Sequence, residues 1–131
     1  MKIFPAIDLS GGKVVRLFKG DYNKMTVYGD APSETAKDFE NAGAEFLHVV
    51  DLDGAKDATT ANFDTVKKIV SNTSLKVEIG GGIRDEEVIK KYLDCGVSRV
   101  ILGTIAITNP EFTEKMIKKY NDRIAIGADL K

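Results

Sequence analysis

One cysteine and one histidine among 131 residues already remove several kinds of protein. Cys95 has no second thiol to pair with, and His48 with Cys95 makes no cluster at metal-ligand spacing. No apolar run approaches the roughly 20 residues that cross a bilayer, and Met1-Lys2-Ile3-Phe4-Pro5 opens without the apolar run of a secretory signal. The expectation is a cytoplasmic chain with no membrane partner. Neither sign of charge is in excess, since 19 Lys and Arg stand against 20 Asp and Glu. No positive surplus is there to neutralise a nucleic-acid backbone, so nucleic acid is not an expected partner.

What is present is the material of one folded domain. With 43% hydrophobic and 30% charged residues, the chain is neither disordered nor of low complexity. Its length is about half that of a closed eight-unit α/β barrel, which takes roughly 250 residues. Short runs of Ile, Val, Leu, Phe and Ala predict strands at Lys2–Asp8, Glu45–Asp51, Leu75–Gly80, Arg99–Gly103 and Arg123–Asp129. All five read as buried on both faces, as parallel strands are.

Helical spacing fills the intervals. Asp30-Ala31-Pro32 opens one helix, with Ala36 and Phe39 behind it, and Gly43 closes it. A second begins near Asn62 and runs through Phe63, Val66, Ile69 and Val70. Asp85 is an N-cap for a third, carrying Val88, Ile89, Tyr92 and Leu93 to a stop at Gly96. Asn109-Pro110 starts a fourth, with Phe112, Met116, Ile117 and Tyr120 on its inner face. The fold class is therefore α/β: four β-α units and a fifth parallel strand, with no linker and a single domain over residues 1–131. The segment from Leu9 to Gly29 reads as an excursion with some β character over the end of the sheet.

Ligands of parallel α/β sheets and barrels lie at the carboxyl ends of the strands. There the sequence places Asp8, Asp51, Gly80-Gly81-Gly82-Ile83-Arg84, Gly103-Thr104 and Asp129. Strand alternation is expected to turn Asp8, Asp51 and Asp129 toward the lumen and to bury His48 beneath the helices. Asp8 and Asp129, from the first and fifth strands, would face each other across a closed barrel as an acid and base pair. Gly81, Gly82, Arg84, Gly103 and Thr104 suit a phosphate held between two adjacent loops, aided by the dipole of the helix that opens at Asp85. Arg16 and Lys19, in the long first loop, are cations within reach of an anionic substrate. Glu78 and Arg99 read as an ion pair lower in the lumen, and Cys95 as a small packed side chain.

Pro5-Ala6-Ile7-Asp8-Leu9, Gly12-Lys13-Val14-Val15-Arg16-Leu17, His48-Val49-Val50-Asp51-Leu52-Asp53-Gly54-Ala55, the triple glycine and Leu102-Gly103-Thr104-Ile105-Ala106 together carry a resemblance. The chain resembles, from end to end, the isomerase family of histidine biosynthesis, which rearranges a phosphoribosylated aminoaldose to an aminoketose. A related cyclase, which works with a glutaminase, shares the glycines and the βα pattern, but typically has Cys-Leu-Asp where this chain has Ala6-Ile7-Asp8. The resemblance implies a TIM (β/α)8 barrel of which this is the N-terminal half. It also implies no cofactor or metal, Asp8 as proton acceptor and Asp129 as proton donor, and a substrate with a phosphate at each end. The sequence stops two residues after Asp129, so strands six to eight and the second phosphate site are expected to be missing. Exposed edges at the first and fifth strands then predict a homo-oligomer or a complementary C-terminal half as partner, or a phosphate-binding half-barrel without activity of its own.

Overall fold

A computed structural model describes residues 5–18, 21–57 and 60–127. The strands are β1 (Ala6–Ser10), β2 (Lys13–Phe18), β3 (Asp21–Gly29), β4 (Phe46–Asp51), β5 (Lys76–Gly80), β6 (Arg99–Leu102) and β7 (Ile124–Ile126). The helices are α1 (Pro32–Asn41), α2 (Leu52–Asp57), α3 (Phe63–Asn72), α4 (Glu86–Asp94), α5 (Thr104–Thr108) and α6 (Pro110–Tyr120). They build one sheet of order β3-β2-β1-β4-β5-β6-β7. Strands β1, β4, β5, β6 and β7 are mutually parallel, in the α/β arrangement of an unclosed half barrel. Among the described residues no helix is long and apolar enough to cross a membrane.

Local chemistry explains the helix ends. Pro32 occupies the first turn of α1, where its missing N–H costs nothing. Asp85 Oδ1 accepts from the Val88 N–H at 2.9 Å, and Asn109 Oδ1 from the Phe112 N–H at 3.1 Å, so α4 and α6 start on side-chain caps. Arg123 precedes β7 in a short 3₁₀ turn instead of opening the strand. Its guanidinium donates to the Leu93 and Val97 carbonyls at 3.3 and 3.0 Å, which ties the start of β7 to the end of α4 and the segment that follows it.

The core lies on one face of the sheet. Ile7, Leu9, Leu47, Val49, Val77, Ile79, Val100, Leu102 and Ile124 point there, and the helices meet them with Ala36, Val66, Ile69, Ile89, Tyr92, Leu93 and Met116. Each fully buried aliphatic side chain contributes about 1.5–3 kcal/mol relative to exposure. The opposite face carries Ala6, His48, Glu78 and Arg99 in one register row and Asp8, Val50 and Gly80 in the next. Its charged and small side chains offer little apolar area, so nothing comparable drives burial on that side.

Two readings of strand parity are corrected by this packing. The face that holds Leu47 and Val49 is turned to the helices, and Asp51, on the same alternation, goes there too and is 1% exposed. His48 alternates to the open face, where its side chain is 42% exposed, and does not lie beneath the helices. Bulky aliphatics decide which way a strand turns, because only the helix layer can cover them. Ile117 is likewise exposed on α6 while Met116 is buried.

The first loop is also more ordered than an excursion. β2 pairs antiparallel with β1 through Asp8↔Val15 and Leu9↔Val14, and β3 pairs with β2. The sheet edges are therefore β3 and β7, and the expected free edge at the first strand is covered by its own hairpin over Asp8–Ser10.

Candidate functional site

The loop after β5 touches, backbone to backbone, the end of β4 and α2. Gly81 and Gly82 have φ of +118° and +74°, a region that side chains disfavour. A Cβ on Gly81 would strike the Asp51 carbonyl, and one on Gly82 would strike the Gly54 carbonyl. The triple glycine thus answers a close approach between neighbouring segments as well as a turn.

A network beside this contact ties the β1–β2 turn to the end of β4, to α2 and to the start of α3. Asn62, fully buried, accepts from the Gly12 N–H at 2.8 Å and donates to Asp51 Oδ1 at 2.7 Å and to Asp53 Oδ2 at 2.9 Å. Asp51 Oδ1 also accepts from the Gly54 N–H at 2.9 Å. Asp53 accepts from the Ser10 hydroxyl and the Gly11 N–H. Burial disfavours the charged form of Asp53, but its bonds from Gly11, Asn62 and Ser10 and the charge of Lys56 prevail and hold its pKa below the ordinary range. Asp51, expected to bind ligand, is thereby a buried structural acceptor. Asn62→Ala would orphan the Gly12 N–H and remove two donations to carboxylates. We expect a loss of about 2–4 kcal/mol, measured by urea denaturation; a loss below about 0.5 kcal/mol would refute the anchoring role.

Above the open face, a cleft of about 560 Å³ is lined by the Gly80–Arg84 loop and by Gly103, Thr104 and Thr108, with His48, Val50, Ile101 and Gly127 in its floor and sides. Gly81, Gly82, Arg84, Gly103 and Thr104 are thus brought together as the sequence predicts. The α4 dipole is less available than expected, because the Asp85 carboxylate already occupies that helix start. Arg16 is exposed on β2, and alternation sets it opposite Val15, the partner of Asp8. It does not line the cleft. Lys19 and Asp129 lie outside the described residues.

Asp8 is half-buried on the open face, one register row above His48. Burial pushes its carboxyl above the ordinary value, against an opposing pull from His48. The Glu78 carboxylate lies 3.6 Å from His48 Nδ1 and 3.2 Å from Arg99 Nη1, so the predicted Glu78–Arg99 pair is present and reaches one residue further. Sequence reasoning missed His48 as a site residue; the available signal was the Leu47 and Val49 alternation, which required His48 to face the other way. Burial raises the Cys95 thiol, which leaves it a poor nucleophile. Among the described residues no group of His, Cys, Asp and Glu is arranged to hold a metal ion.

The sequence has close relatives. The 1-(5-phosphoribosyl)-5-((5-phosphoribosylamino)methylideneamino)imidazole-4-carboxamide isomerase of Campylobacter concisus is 58% identical over 131 residues, covering 100% of this chain and 55% of the relative. The isomerase of the same name from Bacillus subtilis is 54% identical over 127 residues, covering 97% of this chain and 52% of its own length. That of Lactococcus lactis is 53% identical over 133 residues, covering 100% and 56%. The chain spans about half the length of the curated relatives it matches. A family model described as histidine biosynthesis protein matches residues 2–131, and since that span takes in every strand and helix above, the chain belongs to the histidine biosynthesis protein family.

Proposed function

We propose that the chain supplies the N-terminal half of an aldose–ketose isomerase that acts on a phosphorylated ribotide; its relatives are named as isomerases of a phosphoribosylated imidazole carboxamide. The observation that carries this reading is the placement of Asp8, a carboxyl of raised proton affinity, on the same sheet face as a cleft shared by two glycine loops. Gly81, Gly82, Gly103, Thr104 and Arg84 would hold one phosphate by backbone N–H groups, a hydroxyl and a guanidinium. A general acid would protonate the ring oxygen and open the ring to a Schiff base at C1, and Asp8 would then take the proton from the sugar C2. The electron pair left at C2 becomes the enolamine double bond, and tautomerisation gives the aminoketose. Asp129 is the proposed acid. A base with a raised pKa works closer to neutral pH, where proton transfer is most efficient.

The share of the relatives' length that the chain spans favours a second reading for the chain alone: a phosphate-binding half that turns over substrate only with a second copy or a complementary C-terminal half. Ile126 on the β7 edge is 54% exposed, and Val27 and Tyr28 on β3 are 52% and 64% exposed, so both edges carry apolar surface for such pairing. Either way the reading is of a cytoplasmic chain with a small-molecule substrate.

The test is turnover of the aminoaldose by the purified chain, with ribose 5-phosphate titrated in parallel while backbone amide resonances are followed. Shifts at Gly81, Gly82, Gly103 and Thr104 are expected. Their absence would remove the phosphate site, and shifts without turnover would select the second reading. Sedimentation of the same sample at micromolar concentration reports the assembly, and a monomer mass would count against self-association.

A further inference from the structure

The turn that follows β1 is held from outside the sheet. Asp8 is on β1, and the β1–β4 ladder ends one residue later, at Leu9↔Asp51. Beyond that point side chains take over. The Ser10 hydroxyl donates to Asp53 Oδ1 at 2.9 Å, the Gly11 N–H to Asp53 Oδ2 at 2.8 Å and the Gly12 N–H to Asn62 Oδ1 at 2.8 Å. Asn62 Nδ2 donates to Asp53 Oδ2 at 2.9 Å and to Asp51 Oδ1 at 2.7 Å, so the acceptors that hold the turn are fixed to one another. Asp53 lies on α2, and the glycine loop rests on the same segment. The Gly82 backbone packs against the Gly54 carbonyl, and that of Gly81 against the Asp51 carbonyl just before the helix, too closely for any Cβ. α2 thus stands between the strand of the proposed base and the loop of the proposed phosphate site. Asp53 itself does not line the cleft.

We propose that Asp53 is a positioning residue: by holding Ser10 and Gly11 to α2 it fixes the end of β1, and with it Asp8, relative to the glycine loop seated on that helix. The inference deepens the isomerase reading and rests on it for its effect on turnover. The phosphate anchors the substrate at one end, so the distance from the sugar C2 to Asp8 depends on how rigidly the two elements are joined. A misplacement of about 1 Å costs on the order of 100-fold in rate. Groups locked by bonded neighbours on regular elements keep such geometry better than groups on free loops. Asp53 suits the task, because its two carboxylate oxygens take three donors, the Ser10 hydroxyl, the Gly11 N–H and the Asn62 amide. Alanine would free the turn from α2 without touching the contacts of Gly81 and Gly82.

The experiment follows the backbone amides of the full 131-residue chain while ribose 5-phosphate is titrated, in the parent, Asp53→Ala and Asp53→Asn. Gly11 does not line the cleft, so a response there has to be relayed. In the parent, Gly11 is expected to shift with the same midpoint as Gly81 and Gly82. In Asp53→Ala, Gly81 and Gly82 should shift as in the parent, whereas Gly11 loses most of its response. Asp53→Asn, which keeps one acceptor oxygen, should fall between the two, and it carries the test if the alanine variant does not fold. In the assembly that turns over, Asp53→Ala should lower kcat about 10–100-fold with KM little changed. A merely structural Asp53 would lower the melting temperature and leave both this split and the Gly11 response unmoved. A Gly11 that is silent in the parent while Gly81 and Gly82 respond, or that responds fully in whichever variant folds, overturns the proposal. Silence at Gly81 and Gly82 in the parent would overturn the isomerase reading and the proposal together. Absence of turnover in the parent, with the relay as expected, would count against the isomerase reading and leave the link through α2 standing.

Discussion

Asp8→Asn should cost at least about 100-fold in turnover and, at neutral pH, raise the melting temperature. The two effects have one cause. Asp8 is half-buried on the open sheet face, and desolvation pushes its pKa above the ordinary carboxylate value despite the opposing charge of His48. A raised carboxyl pKa means that the folded chain prefers the protonated form. Asp8 therefore favours folding most at low pH, and that contribution declines as pH rises through the folded-state value. At pH 7 the charged carboxylate opposes folding. Asparagine keeps the shape without the charge, so it removes the opposition together with the proposed proton acceptor. Melting curves of parent and Asp8→Asn between pH 3 and pH 8 should separate as pH increases. A variant that retains turnover would refute the base assignment, and curves that stay parallel across the range would refute the stability argument.

Gly82→Ala should be the most damaging small substitution in the glycine loop. Its φ of +74° alone costs a side chain about 1–2 kcal/mol, and the new Cβ would collide with the Gly54 carbonyl. That carbonyl belongs to α2, whose Asp53 and Gly54 are bonded with Asp51 and Asn62 into the network that reaches the β1–β2 turn, so it cannot yield without disturbing that network. We expect a loss of about 3 kcal/mol or more, a fall in melting temperature of roughly 10 °C for a chain of this size. Gly43→Ala is the control: φ is +105°, yet nothing lies within 4 Å of the added Cβ, so only the conformational cost of about 1–2 kcal/mol should appear. Equal losses at the two positions would show that the loop contact contributes nothing.

The elements legible in the sequence were those whose causes are local. Pro32, Asp85 and Asn109 start helices where they stand, and the cap bond of Asp85 is the expected one. The parallel strands fall within a few residues of their apolar runs. α2 and α5, at six and five residues, are too short to display a helical period. The β2–β3 hairpin was half legible, since Val14, Val15 and Leu17 show β character, but its pairing with β1 needs a partner that composition does not identify.

The candidate site divides along the same line. Which residues gather at the carboxyl ends of the strands follows from chain order and parallel topology, and so Gly81, Gly82, Arg84, Gly103 and Thr104 were in view together, as was Asp8 on the open face. The direction of β4 was not. Leu47 and Val49 alternate with His48 and Val50, and either set could turn to the helices until α1, α3 and α4 are in place to cover one of them. Aliphatic burial on that side was the stronger effect, and it carried Asp51 into the interior network and left His48 on the open face with Asp8. The sequence by itself determined the order of elements, their caps and the loop chemistry, because these depend on residues a few positions apart. Tertiary structure alone decided which side chains meet across β1, β4, β5 and β6, because that depends on which face of each strand finds apolar cover.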